Sequence, residues 1–214
     1  MKTINLNFLI SDAKYIAAME QLTLNISEKS RSRVIASSPL GFQIELMEYV
    51  GGDDVPALME VSESLASEYG ESARLTKTTV RKYFNYPKTL PFVARYQGEI
   101  VGYIIGVPLE YFARDPWAKF DQNLGEGNTL YTYAYVILAR YRGNGFARTL
   151  KRVYLNWAKK QHYRYVTGHV LEGIAKKFSP DTTIVKRFTN WHGSGRTFEY
   201  YRRPIQNAAP GRNY

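Results

Sequence analysis

From Phe42 onward the chain alternates between two hydrophobic periods. Phe42, Ile44 and Leu46 fall on every second position, which predicts a half-buried strand. Gly51 and Gly52 close it, and Asp53 stands as the cap of a helix reaching about Tyr69. Leu58, Val61 and Leu65 form its apolar stripe. A second helix fits Thr76 to Phe84, stopped before Pro87. A hairpin follows, with Phe92 to Tyr96 and Glu99 to Val107 as its arms and Gln97-Gly98 as its turn. Leu109 to Asn128 has neither period. It reads as a loop of about 20 residues, with room for one helical turn; a binding lid and a plain surface excursion fit it equally.

Regularity returns with a tyrosine-rich strand at Thr129–Leu138 and an amphipathic helix from Gly145 to about Gln161. The helix carries Phe146, Leu150, Val153, Tyr154 and Trp157 on one face and Arg148, Lys151, Arg152, Lys159 and Lys160 on the other. Val166 to Val170 predicts a strand, Glu172 to Phe178 a short helix, and Thr182–Phe188 and Thr197–Tyr201 two closing strands. The fold class is therefore α/β (α+β), with a mixed, mostly antiparallel sheet. The domain runs over residues 41–205. Residues 1–40 form an arm or helix outside the core, with Asp12 to Ser27 as its helical part, and 206–214 a loose tail. The basic stretch Lys29 to Arg33 reads as an exposed connector, with a nucleic-acid arm as the alternative.

Composition narrows the function classes. Of 214 residues 44% are apolar, enough for a core, and no apolar run approaches the roughly 20 residues of a membrane span. The first ten residues lack the pattern of a signal peptide, so a soluble cytoplasmic protein is expected. The absence of cysteine excludes disulfides, thiolate metal sites and an acyl-cysteine intermediate. The three histidines have no metal-ligand spacing, so no metal is expected. Twenty-nine Lys and Arg against 19 Asp and Glu give a net charge of +10, a field that draws anions without choosing among them.

The segment Tyr135 to Arg148 selects the anion. A strand leads into a turn bearing Gly143 and Gly145, and the turn opens a helix. The first N–H groups of a helix have no internal acceptor and sit at the positive end of its dipole, so this turn suits a diphosphate. A Walker loop fails here: Gly168 and Gly173 have its spacing, but Ile174 and Ala175 follow where Lys and Ser or Thr are required. The dinucleotide fingerprint fails as well, because Arg148 occupies its third glycine position.

What remains, Arg142-Gly143-Asn144-Gly145-Phe146-Ala147, resembles the Gln/Arg-x-x-Gly-x-Gly/Ala signature of the GNAT superfamily of N-acetyltransferases. The order of hairpin, tyrosine-rich strand, signature helix, strand and short helix is similar too, over roughly Phe42 to Arg203. The resemblance implies a sheet whose central strands splay apart and hold acetyl-CoA in the opening. Tyr135, Ile137 and Leu138 would meet the pantetheine through their backbone. Arg142, Gly143, Asn144, Gly145, Phe146, Ala147 and Arg148 would form the diphosphate site, and the Ile137 N–H would hold the thioester oxyanion. The acceptor would be a small-molecule or protein amine, attacking directly, and dimers are common in the family.

The acid and base are less legible. Several relatives carry a glutamate where this chain has Tyr131, with Tyr133 and Tyr135 read on the same face, and an unshifted tyrosine is a poor base at neutral pH. Glu172 and His169 flank the far side of the opening and complete the catalytic candidates. Glu99 is expected in solvent. The family's acid is a tyrosine near the place of Phe178; Tyr200 and Tyr201 are substitutes, and water alone is another option. The competing reading is a catalytically silent module of this fold that binds nucleic acid or another polyanion through its basic helix face.

Overall fold

A computed structural model describes residues 29–205. The proposed helix at Asp12–Ser27 and the tail beyond 205 lie outside the described residues. Among the described residues eight strands form one sheet in the order β1-β2-β3-β4-β5-β6-β8-β7. They are β1 Arg31–Ser37, β2 Phe42–Tyr49, β3 Leu90–Tyr96, β4 Glu99–Pro108, β5 Thr129–Ile137, β6 Tyr165–Leu171, β7 Thr183–Phe188 and β8 Phe198–Pro204. Only β5 and β6 run parallel. Among the described residues three α-helices cover the sheet: α1 Val55–Tyr69, α2 Lys77–Asn85 and α3 Phe146–Lys160. None of them is long and apolar enough to cross a membrane.

The predicted elements from Phe42 on are present, with local differences. Arg31 to Arg33 is not a connector but the start of edge strand β1, paired to β2. Asp53 does not cap α1; its carboxylate accepts from the Ser30 backbone and hydroxyl at 2.9 and 2.8 Å and so ties β1 to the helix start. Thr76 does cap α2, in a reciprocal box with Thr79. The hairpin turn uses left-handed φ at both Gln97 and Gly98, the twist that suits a two-residue connection. Glu172 to Phe178 is not a helix; only Ala175–Lys177 makes a 3-10 turn.

The sheet has a core on each side. α1 and α2 cover Met47, Val93, Tyr103, Ile105 and Val107 on one face. α3 covers Phe42, Ile44, Phe92 and Val101 on the other through Leu150, Tyr154 and Ala158. Strand β2 is thus buried on both faces rather than half-buried, because the two helical layers overlap there.

A break in register shapes the middle of the sheet. Ile105 pairs with Ala134, but the next residue, Gly106, pairs with Thr132, so Tyr133 is an extra residue on β5. A bulge bends its strand and shifts the side-chain alternation by one. Accordingly Tyr131 and Tyr133 join the α1/α2 core, while Tyr135 joins the α3 side. The expectation that the three tyrosines share a face fails for this reason. Beyond Tyr131 the parallel pairing with β6 stops, after only three residue pairs. The two strands diverge from that point.

Candidate active site

The divergence of β5 and β6 opens a cleft of about 590 Å³ through the middle of the sheet. One edge of it is the part of β5 beyond Tyr131, which has no partner strand on that side among the described residues. The Leu138 N–H donates to the Val101 carbonyl at 2.9 Å, so it faces β4 and not the cleft. In an antiparallel ladder the polar groups alternate in direction. Those of Val136 therefore also face β4, and those of Tyr135 and Ile137 face the opening where β6 has left. Of the three residues expected to offer backbone to a pantetheine, Tyr135 and Ile137 are so oriented; the Leu138 N–H is already engaged.

At the end of this edge stands the glycine turn. Gly143 (φ 87°) and Gly145 (φ 76°) are both left-handed, and an added Cβ would meet nothing within 4 Å at either. Glycine is required by the backbone rather than by crowding. Gly145 is the N-cap of α3, and the first bond of the helix runs from the Thr149 N–H to the Gly145 carbonyl at 3.0 Å. The N–H groups of Phe146, Ala147 and Arg148 precede that bond and have no acceptor within the helix. Asn144 braces the turn by donating its Nδ2 to the Tyr141 carbonyl at 3.2 Å. The Phe146 ring stacks on Phe42 at 4.1 Å, and the Tyr135 hydroxyl donates to the Ala147 carbonyl at 2.7 Å, so the helix start is held firmly on the sheet. Arg142 is ion-paired with Glu68, whereas Arg148 stands exposed at the rim.

The 109–128 segment forms one wall of the cleft, with two 3-10 turns at Leu109–Phe112 and Ala118–Phe120. It is held down at Asp121, whose buried carboxylate accepts from the Tyr200 hydroxyl at 2.8 Å, Arg202 at 3.0 Å and the Asn123 N–H at 2.9 Å. Phe112, Asp115 and Trp117 thereby line the cleft beside Tyr131 and Tyr133. Asp115 is the one carboxylate among the lining residues.

The four side chains singled out for catalysis fare differently. Tyr131 and His169 meet, the phenol oxygen lying 2.9 Å from Nδ1. Burial pushes the Tyr131 and Tyr133 hydroxyls well above the usual tyrosine range, so both stay protonated and cannot act as bases at neutral pH. His169 stacks on Trp191 at 3.9 Å, and burial, with nearby His192, pushes its pKa down to about 3. It is neutral at physiological pH, and its buried Nε2 has no hydrogen-bond partner among the described residues. Glu172 is not brought to the cleft at all; it faces solvent in an ion pair with Arg187 at 3.3 Å. Glu99 is exposed and bound by Arg140 and Tyr141, as expected.

Two cleft residues escaped the sequence reading. Asp115 lies in a loop without periodicity, and nothing local marks it. Lys151 carried a signal: it stands four residues after Ala147 and three before Tyr154, on the inward stripe of α3. It belongs to the cleft wall and not to the solvated basic face.

Comparison with known proteins adds the following. The model of the family described as "Acetyltransferase (GNAT) family" matches residues 58–173, more than half of the chain. No curated protein matches it. Among solved structures, the ribosomal-protein-S18-alanine N-acetyltransferase from Escherichia coli is similar at TM-score 0.55 and 12% identity, over 81% of this chain and 99% of the other. A ribosomal-protein-alanine N-acetyltransferase from Brucella melitensis gives 0.54 and 16%, over 73% and 97%. An aminoglycoside 6'-N-acetyltransferase complexed with coenzyme A gives 0.54 and 14%, over 78% and 98%. At such identities these likenesses concern the fold.

Proposed function

The chain belongs to the acetyltransferase (GNAT) family, and from that premise we propose that it transfers an acetyl group from acetyl-CoA to a primary amine. The observation that carries the reading is the continuity of three features: the unpaired Tyr135–Ile137 edge, the glycine turn and the free N–H groups that open α3. An extended pantetheine adds to the edge as a strand would. Gly143, Gly145 and the first turn of α3 receive the diphosphate, with Asn144 bracing the turn and Arg148 adding charge at the rim. Arg142 joins them by exchanging Glu68 for phosphate.

In this reading the amine enters along the wall of Phe112, Asp115 and Trp117. Aromatic faces and one carboxylate suit an ammonium group. Asp115 draws the acceptor in and takes its proton through water. Tyr131 and Tyr133, always protonated, act as hydrogen-bond donors that order that water. The Ile137 N–H, aimed into the cleft, stabilises the oxyanion as the amine adds to the thioester carbonyl. His169 fixes the Tyr131 hydroxyl and takes no proton, since its pKa of about 3 makes it too weak a base. The acceptor is a small-molecule amine or a protein amine, and a homodimer remains part of the proposal.

The polyanion-binding alternative draws on the basic face of α3. That face is smaller than the sequence suggests, because Lys151 points into the cleft.

Isothermal titration of the full chain with acetyl-CoA, CoA and ATP tests the reading. Micromolar binding of both CoA compounds, with none of ATP, is expected. Equal binding of ATP, or no CoA binding, would sink it.

A further inference from the structure

Lys151 is a cation on the wrong side of its helix. It sits in the second turn of α3, facing the cleft, with Nζ 3.8 Å from the centre of the Phe178 ring and 5.9 Å from that of Tyr135. Both rings line the same cleft. Tyr135 from β5, Tyr201 and Arg203 from β8, and Tyr154 from its own helix line the cleft with it, and the Arg203 charge acts on it. None is a carboxylate, and among the described residues Lys151 has no ion pair. A half-buried ammonium without a counter-charge is costly unless a ligand supplies one. The aromatic faces of Phe178 and Tyr135 offset part of that cost.

Phe178 gives the position its meaning. It contacts the Tyr201 ring edge-on at 4.9 Å and lines the same cleft, and a phenyl ring cannot offset a negative charge there. The ammonium lying against that ring can offset one. Resting on the transferase reading above, we propose that the Lys151 ammonium is the counter-charge that stabilises the CoA thiolate as it leaves. When the carbon–sulfur bond breaks, its electron pair stays on sulfur and pairs with the ammonium, which keeps its proton. The thiol is completed by a proton from water. Burial, with the Arg203 charge beside it, pushes the Lys151 pKa down to about 8. The group is therefore still charged at neutral pH and available as a counter-charge.

The test uses CoA itself and needs no acceptor. Wild type, Lys151→Gln and Lys151→Arg are each saturated with CoA, and the thiolate ultraviolet absorbance of the bound thiol is followed against pH. A positive charge within about 4–6 Å lowers a thiol pKa by roughly one to three units. The wild-type complex is expected to form thiolate that far below free CoA. Lys151→Gln is expected to return the titration to that of free CoA while changing CoA affinity less than threefold, and Lys151→Arg to keep it low. An unchanged titration in Lys151→Gln overturns the proposal. So does a large loss of CoA affinity with the titration unmoved, which would make Lys151 a phosphate contact. Failure of the wild type to bind CoA overturns the transferase reading first and this inference with it.

Discussion

Replacing Gly145 by glutamate separates the backbone demand of the turn from its role in binding. The new residue must hold φ near 76°, and a Cβ there touches nothing within 4 Å. The cost to folding is then conformational alone, about 1–2 kcal/mol for an L-residue in the left-handed region. For a chain of this size that lowers Tm by about 2–8 °C. The carboxylate stands among N–H groups that the reading assigns to a diphosphate. At about 5 Å, with an effective dielectric constant near 20, one charge pair is worth about 3 kcal/mol. CoA affinity should therefore fall about 100-fold or more. Gly125→Glu is the control: Gly125 is also left-handed (φ 96°) with open space around it, but lies in the 109–128 wall. Titration calorimetry and a thermal melt on both variants give the comparison. Similar losses of Tm, with CoA binding lost only in Gly145→Glu, support the nest. If Gly145→Glu binds CoA as wild type does, or Gly125→Glu loses it equally, the reasoning is refuted.

Asp121→Ala removes the buried acceptor shared by Tyr200, Arg202 and Asn123, leaving a largely buried guanidinium without its charge partner. A loss of about 3–5 kcal/mol is expected, with faster amide exchange through 109–128; a Tm within 2 °C of wild type would contradict it. His169 gives a pH signature. Its folded pKa, about 3, lies below the unfolded value of 6.5, so folding holds it neutral. The stability it contributes is complete above about pH 6.5 and falls by up to about 1.4 kcal/mol per pH unit as pH drops toward 3. Urea unfolding of wild type and His169→Phe at pH 7 and pH 5 should show a smaller pH difference in the variant. Equal differences would mean that His169 is not held neutral.

Periodicity and turn chemistry carried the fold from Phe42 onward. Apolar spacing determines a helix or strand locally, and Gln97-Gly98 and Gly143-Asn144-Gly145 need particular backbone angles wherever the chain places them. The glycine turn that opens α3 was legible for the same reason: it consists of consecutive residues and N–H groups, and consecutive residues are what a sequence displays. The side chains proposed for catalysis lacked this advantage. One bulged residue, Tyr133, reverses the direction of Tyr135 and ends the pairing with β6, and no local pattern announces a bulge. Asp115 reaches the cleft only because Asp121 is clamped by β8, some 80 positions away in the chain. Glu172, beside His169 in sequence, turns to solvent because Arg187 holds it there. Lys151 lies between these cases: its helical phase was readable, but the cleft it faces exists only once β5 and β6 have parted. The sequence by itself determined most elements from Phe42 on and the glycine turn that opens α3. Only the tertiary structure decided which side chains meet in the opening, because those meetings depend on register and long-range anchoring.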